Sequence, residues 1–108
     1  MGTEFIVVFC THPDAGAARD LGGALVEEKL AACVNLLPGL ASLYVWQGQR
    51  ETSEEVLLVL KTRSALFERL AAAIRARHPY TAPEIIALPI VAGDPDYLNW
   101  LKTSTLDD

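Results

Sequence analysis

The sequence is poor in the residues from which nucleic-acid and common metal sites are built. Its 108 residues include two cysteines and two histidines, and 9 basic side chains stand against 14 acidic ones, for a net charge of −5. No run of lysine and arginine provides the basic patch that binding to a phosphate backbone requires, so we expect no nucleic-acid partner. The few cysteines and histidines also lack zinc-finger spacing, which excludes the usual structural zinc sites.

Long hydrophobic runs are missing as well. The chain has no apolar stretch of the length that a membrane-spanning helix needs. Its first residues carry no basic segment, and the apolar stretch after them ends at Thr11, too early for the core of a signal peptide. We therefore expect a cytoplasmic protein with no membrane contact, in which Cys10 and Cys33 are free thiols.

Motifs of the major enzyme classes are absent too. The sequence contains no glycine-rich phosphate loop, no serine-centred nucleophile elbow and no complete triad of cysteine, histidine and acid. We therefore expect a protein without enzymatic activity. Repeats, linkers and low-complexity segments are also lacking, which predicts a single domain over residues 1–108.

What the sequence does contain is a regular alternation of apolar segments and turn signals. It predicts strands over 5–10, over 32–46 with a bend at Pro38-Gly39, over 50–61 and over 84–91. It predicts helices from Pro13 or Asp14 to Lys29, from a cap at Thr62 or Ser64 to His78, and from Asp94 onwards. This order indicates an α+β fold of the ferredoxin-like split βαβ type plus a C-terminal helix. It implies an antiparallel sheet in the order four, one, three, two, with a long hairpin between strands two and three.

The predicted strands are more apolar than a half-exposed sheet allows. Segments 5–10, 56–60 and 85–91 are apolar at both odd and even positions, although both main helices cover the same face of such a sheet. The terminal helix is too short to cover the other face. We therefore expect an obligate homo-oligomer whose subunits bury this open face against one another.

Two short segments could carry chemistry. Cys10 and His12 are two residues apart in an extended segment, so they point to the same side and could offer a thiolate and an imidazole together. The alternative is a small core residue followed by an exposed loop histidine. His78 lies where a helix meets a loop, either facing a cleft with Tyr80 or serving as a cation at the helix C-terminus.

Several motifs in the right order resemble the CutA divalent-cation tolerance family over nearly the whole chain. They are Leu30-Ala31-Ala32-Cys33-Val34-Asn35, Pro38-Gly39, Trp46-Gln47-Gly48, Leu60-Lys61-Thr62, His78-Pro79-Tyr80, Pro83-Glu84-Ile85 and Tyr97-Leu98 with Trp100-Leu101. The resemblance implies a cytosolic homotrimer of ferredoxin-like subunits, shaped like the PII signalling proteins and linked to tolerance of copper and other divalent ions.

The resemblance also implies copper ligands, namely a cysteine ending the first strand and two adjacent histidines before Pro-Tyr. The cysteine matches Cys10 and the second histidine matches His78, but Arg77 stands in place of the first and cannot lose its proton to bind a metal. His12 lies on the same side as Cys10, and we take it as the replacement. The predicted ligand set for Cu²⁺ is therefore Cys10, His12 and His78.

Three functional hypotheses remain at this point. The first is a trimeric divalent-metal-binding protein with Cu²⁺ as its ion. The second is a PII-like signalling or scaffold trimer that binds a small anionic metabolite or a partner's segment in clefts between subunits. Its expected lining residues are Tyr44, Trp46, Lys61, His78, Tyr80 and Glu84. The third is a hydrolase on the same fold, because fold does not determine function.

Overall fold

Four strands and three helices make up the computed structural model, which describes residues 4–107. In chain order they are β1 (Phe5–His12), α1 (Ala15–Glu27), β2 (Cys33–Trp46), β3 (Gln49–Arg63), α2 (Phe67–Arg77), β4 (Ile86–Pro89) and α3 (Pro95–Thr103). A single 3₁₀ turn, Ser64–Leu66, joins β3 to α2. None of these helices is both long and apolar enough to span a membrane.

All neighbouring strands are antiparallel, and their order across the sheet is β2-β3-β1-β4. This arrangement confirms the predicted α+β fold, including its strand order and its long β2–β3 hairpin. The hairpin turns at Gln47 and Gly48, where both residues have positive φ angles, as a tight two-residue turn requires.

One face of the sheet packs against α1 and α2 and forms the core. Along β1 the residues Ile6, Val8 and Cys10 are buried, while the residues between them are only partly buried. The same alternation in β3 buries Leu58 and Leu60 on the helix side. The helices contribute five residues to this cluster: Ala18, Leu21, Leu25, Leu70 and Ile74. Burial of this apolar surface is the main force that fixes the sheet beneath the helices.

The other face of the sheet, which we call the open face, has no such cover from residues 4–107 over much of its area. Pairing places Val7, Lys61 and Cys33 in one row of this face and Phe9, Val59 and Asn35 in the next. Several large apolar side chains on β2 and β4 remain exposed: Leu37, Ile86 and Leu88. Helix α3 contacts β3, and Tyr97 lies close enough to Cys33 for the thiol to affect its pKa, so α3 packs over one end of this face.

A β-bulge interrupts β2 at the predicted bend. The pairing with β3 jumps from Leu37↔Leu57 to Leu40↔Glu55, so β2 has one residue more than β3 in this stretch. Gly39 has a φ of 77°, which only glycine adopts without strain. As a result, odd-numbered residues of β2 face the open side before the bulge and even-numbered residues, such as Tyr44, face it afterwards.

The element boundaries differ from prediction in several places. Neither Thr62 nor Ser64 caps α2, because Thr62 is still part of β3 and its hydroxyl donates to the Leu30 carbonyl at 2.7 Å. β4 is only four residues long instead of eight, and pairs with β1 alone. α1 ends at Glu27, and Lys29 takes a left-handed φ of 61°. Asp94 caps α3 as predicted, whereas Asp14 caps α1 instead of lying in its first turn.

Candidate functional site

Cys10 lies near the C-terminal end of β1, on the helix side of the sheet. It is fully buried in the core, and its thiol contacts the Thr11 carbonyl oxygen at 3.6 Å. Burial, together with the nearby carboxylates of Glu84 and Glu55, raises the pKa of the thiol from 9.0 to about 12. The thiol is therefore protonated at neutral pH and lacks the thiolate that binds metals or acts as a nucleophile.

His12 ends β1 on the same side as Cys10, as the spacing predicted, but it is buried instead of exposed. Its Nδ1 accepts a hydrogen bond from the Asp14 backbone N–H at 3.0 Å, immediately before α1 begins. Burial, followed by the proximity of His78, lowers the pKa of His12 below 6.5. A ring that accepts at Nδ1 carries its proton on Nε2, so His12 is neutral and helps to hold the junction between β1 and α1.

His78 follows the last residue of α2 and is also buried. Its Nδ1 accepts from the Tyr80 backbone N–H at 3.1 Å, and its Nε2 donates to the Thr11 carbonyl at 2.7 Å. Both ring nitrogens are therefore occupied by backbone groups. The side chain ties the segment after α2 to the end of β1.

The structure brings the predicted ligands Cys10, His12 and His78 together. Arg77, which departs from the family pattern, lies apart from them. The rings of His12 and His78 are 4.8 Å apart between centroids, and the Thr11 carbonyl accepts from both Cys10 and His78. Arg77 instead donates to Glu28 at the end of α1, at 2.5 Å. That ion pair links the two long helices at the surface.

Hydrogen bonds to backbone groups hold the side chains of this cluster in place. Copper favours a thiolate and imidazole lone pairs, but the Cys10 thiol keeps its proton and both nitrogens of His78 are engaged. Within residues 4–107, no three side chains of His, Cys, Asp or Glu are placed so as to hold one metal ion. In this state the residues therefore act as a structural cluster at the end of β1.

A separate cleft opens on the other side of β1, on the open face. It has a volume of about 950 Å³ and lies between the hairpin and the segment after α2. The hairpin contributes Ser42, Leu43, Tyr44, Trp46, Glu51 and Glu55; β1 contributes Thr11; and the later segment contributes Pro79, Tyr80, Thr81, Ala82 and Glu84. Of the lining residues that we expected, Tyr44, Trp46, Tyr80 and Glu84 are present. Lys61 lies further along the open face beside Asn35, and His78 belongs to the structural cluster.

Among the lining residues that sequence reasoning missed, Glu55 is a carboxylate that is almost fully buried. It is only 6% exposed, and its Oε2 accepts from the Tyr80 hydroxyl at 2.8 Å. Burial of Tyr80 and this bond to Glu55 raise the pKa of the phenol from 10.0 to about 12. The polar stretch from Glu51 to Glu55 suggested a solvated hairpin tip, and nothing local in the sequence marks its last glutamate as buried.

Comparison with known proteins agrees with the family resemblance of the sequence motifs. A model of the family described as "CutA1 divalent ion tolerance protein" matches residues 6–104. A divalent-cation tolerance protein CutA from Thermus thermophilus is 50% identical over 99 residues, which cover 92% of this chain and 96% of that protein. The crystal structure of CutA1 from Oryza sativa superposes with a TM-score of 0.96 at 46% identity, covering 99% of this chain and 98% of that one.

The names of other relatives refer to different compartments. A chloroplastic CutA 1 protein from Oryza sativa is 49% identical over 100 residues, which cover 93% of this chain but 56% of that protein. The structure of a CutA from Archaeoglobus fulgidus, described as a periplasmic divalent cation tolerance protein, is 35% identical with a TM-score of 0.90 and covers 93% of this chain and 97% of that one. Cellular location therefore varies among these similar proteins.

Proposed function

The chain belongs to the CutA1 family of divalent ion tolerance proteins, and we propose that it serves divalent-cation tolerance as a homotrimer that binds Cu²⁺. We further propose that it acts in the cytoplasm and without enzymatic activity. The observation that carries the copper assignment is that the rings of His12 and His78 lie 4.8 Å apart near the end of β1, where Cys10 and His78 both contact the Thr11 carbonyl.

Support for the trimer comes from the open face of the sheet. Leu37, Ile86 and Leu88 are 51%, 50% and 43% exposed there, beside the partly buried Val7 and Val59. A contiguous apolar surface of this kind is typical of an interface between subunits. Light scattering at micromolar concentration should give a mass three times that of the chain, and a stable monomer would contradict the proposal.

Copper has to compete with the hydrogen bonds that now hold its proposed ligands. Binding at His78 requires one ring nitrogen to release either the Thr11 carbonyl or the Tyr80 amide, and binding at Cys10 requires loss of the thiol proton. We therefore expect copper affinity to rise with pH between 6 and 9. Binding should also disturb the end of β1, where Thr11 loses its contacts.

Calorimetric titration of Cu²⁺ into the variants Cys10→Ser, His12→Ala and His78→Ala tests the ligand set. Each substitution should weaken binding by about tenfold or more, because copper loses one of three donors. Cys33→Ser is the matched control, since Cys33 is the only other cysteine and lies on the opposite face of the sheet. Unchanged affinity of His12→Ala would remove His12 from the site, and unchanged affinity of all three would refute copper binding here.

The cleft on the open face favours a second candidate function, that of a signalling or scaffold trimer. A volume of about 950 Å³ suits a small molecule, and its position on the open face would put it between subunits of a trimer. Thermal-shift screening distinguishes the two functions. Stabilisation by copper that Cys10→Ser abolishes supports the first, and stabilisation by a metabolite in the presence of a chelator supports the second.

A further inference from the structure

The cleft between the hairpin and the segment after α2 is lined by acidic and aromatic side chains. From this lining we infer that it binds a small organic cation, one that carries ammonium or guanidinium groups. The inference rests on the second candidate function, because it names the class of ligand for that cleft. It does not depend on copper binding by Cys10, His12 and His78.

The charge of the cleft is carried by three carboxylates. Glu51, Glu55 and Glu84 line it, and among the described residues its lining includes no lysine, arginine or histidine. None of the three forms an ion pair within residues 4–107. The nearly buried Glu55 receives one hydrogen bond, from Tyr80, but no positive charge. A carboxylate in this position gains stability from a cation, and this lining repels the anionic metabolite that the sequence had suggested.

The aromatic side chains of the cleft decide which kind of cation fits. Tyr44, Trp46 and Tyr80 all line it, and each is unusually exposed for a large ring, at 43%, 58% and 37%. Tyr44 is held by a 2.7 Å hydrogen bond to Ser53 on the facing strand, and Tyr80 by its bond to Glu55. Aromatic faces attract ammonium and guanidinium groups through their negative π surfaces while also covering the attached carbon chain.

A metal ion explains the same lining less well. Metal ions such as Mg²⁺ and Ca²⁺ need several oxygen ligands converging on one point, and no three of the acidic, histidine or cysteine side chains within residues 4–107 converge in this way. An extended organic cation can meet separated carboxylates with separate charged groups. The volume of about 950 Å³ also far exceeds what a single ion occupies.

Calorimetric titration of spermidine into the intact oligomer, at fixed ionic strength and with a chelator present, tests the inference. Spermidine should bind, and Glu84→Gln and Trp46→Leu should each weaken it by about tenfold, through loss of a charge and of a cation–π contact respectively. Glu54→Gln is the matched control. It also removes one negative charge, but Glu54 faces the other side of the hairpin and is not in the lining. The affinity of the Glu54→Gln variant for spermidine should equal that of the unaltered protein.

Several results would overturn the inference. No heat with spermidine would show that the cleft does not take an organic cation, including the case where a neighbouring subunit already fills it. Equal weakening in Glu54→Gln would show attraction to surface charge alone. Binding of Mg²⁺ that depends on Glu84 but not on Trp46 would identify a metal site. Binding of ATP in place of spermidine would refute the cationic ligand but preserve the second candidate function.

Discussion

Replacing His78 by alanine should lower the free energy of unfolding by about 3 kcal/mol, even in the absence of any metal. The substitution deletes two hydrogen bonds, at 2.7 Å to the Thr11 carbonyl and at 3.1 Å from the Tyr80 amide. Each is worth about 1 kcal/mol net, and leaving the Tyr80 amide without its partner costs about 1 kcal/mol more, whereas the Thr11 carbonyl keeps its contact with Cys10. Thr11 and His78 are 9% and 8% exposed, so water restores these bonds poorly.

The adjacent residue supplies a matched control. Arg77→Ala removes an ion pair with Glu28 in which the two side chains are 39% and 43% exposed. Pairs exposed to this extent contribute less than about 1 kcal/mol, because solvent screens the charges and the side chains lose freedom. His78→Asn should fall between the two, since its carbonyl oxygen can still accept from the Tyr80 amide but its short side chain cannot reach Thr11.

Equilibrium unfolding in urea, followed by the fluorescence of Trp46 and Trp100, measures these differences. A chelator keeps any metal out of the comparison. A fixed protein concentration is needed because the stability of an oligomer depends on concentration. If His78→Ala loses no more stability than Arg77→Ala, the conclusion that His78 links α2 to the end of β1 is refuted.

Three further predictions concern the same end of the molecule. Cys10, with a pKa of about 12, has roughly one thiolate in 10,000 at pH 8. Mass spectrometry after iodoacetamide treatment of the native protein should therefore find Cys33 modified far faster than Cys10. Equal rates for the two cysteines would contradict the burial of Cys10. Because the folded-state pKa of His12 lies below its unfolded value, its contribution to stability is complete above about pH 6.5 and is lost as the pH falls through the folded-state pKa. Urea titrations from pH 8 to pH 5 should show this loss of stability, and the loss should be smaller in His12→Asn. Asp14→Ala removes the cap that accepts from the Ala17 amide at 2.7 Å and should cost about 1 kcal/mol in thermal unfolding, with no loss if the cap is unimportant.

The order of elements could be predicted because its signals are local. Apolar runs of strand length are separated by clear breaks, and the pair Pro38-Gly39 marks the bulge in a strand that is otherwise continuous. The start of α2 could not be predicted in this way. Thr62 has the chemistry of a helix cap, but its hydroxyl donates to Leu30, 32 residues away in the chain. A tertiary contact thus overrides the local preference.

The candidate site was predictable only where spacing alone fixes direction. Cys10 and His12 share one side of β1 because residues two apart in a strand always do. That the Thr11 carbonyl between them would engage both Cys10 and His78 depends on how the segment after α2 returns to the sheet. The burial of Glu55 depends in turn on Tyr80, which reaches it from that segment.

The bulge at Gly39 decides which side chains of β2 reach the cleft. If the regular pairing before the bulge continued past Leu37, Leu43 would lie opposite Glu51 and Val45 opposite Gln49, and these aliphatic side chains would face the carboxylates in place of Tyr44 and Trp46. The bulge takes up one residue of β2 and so keeps the aromatic side chains on the open face. A side chain at Gly39 that strains its positive φ therefore threatens an aromatic wall further along the strand, whereas deletion of Gly39, which leaves Leu40 opposite Glu55, would keep that wall in place.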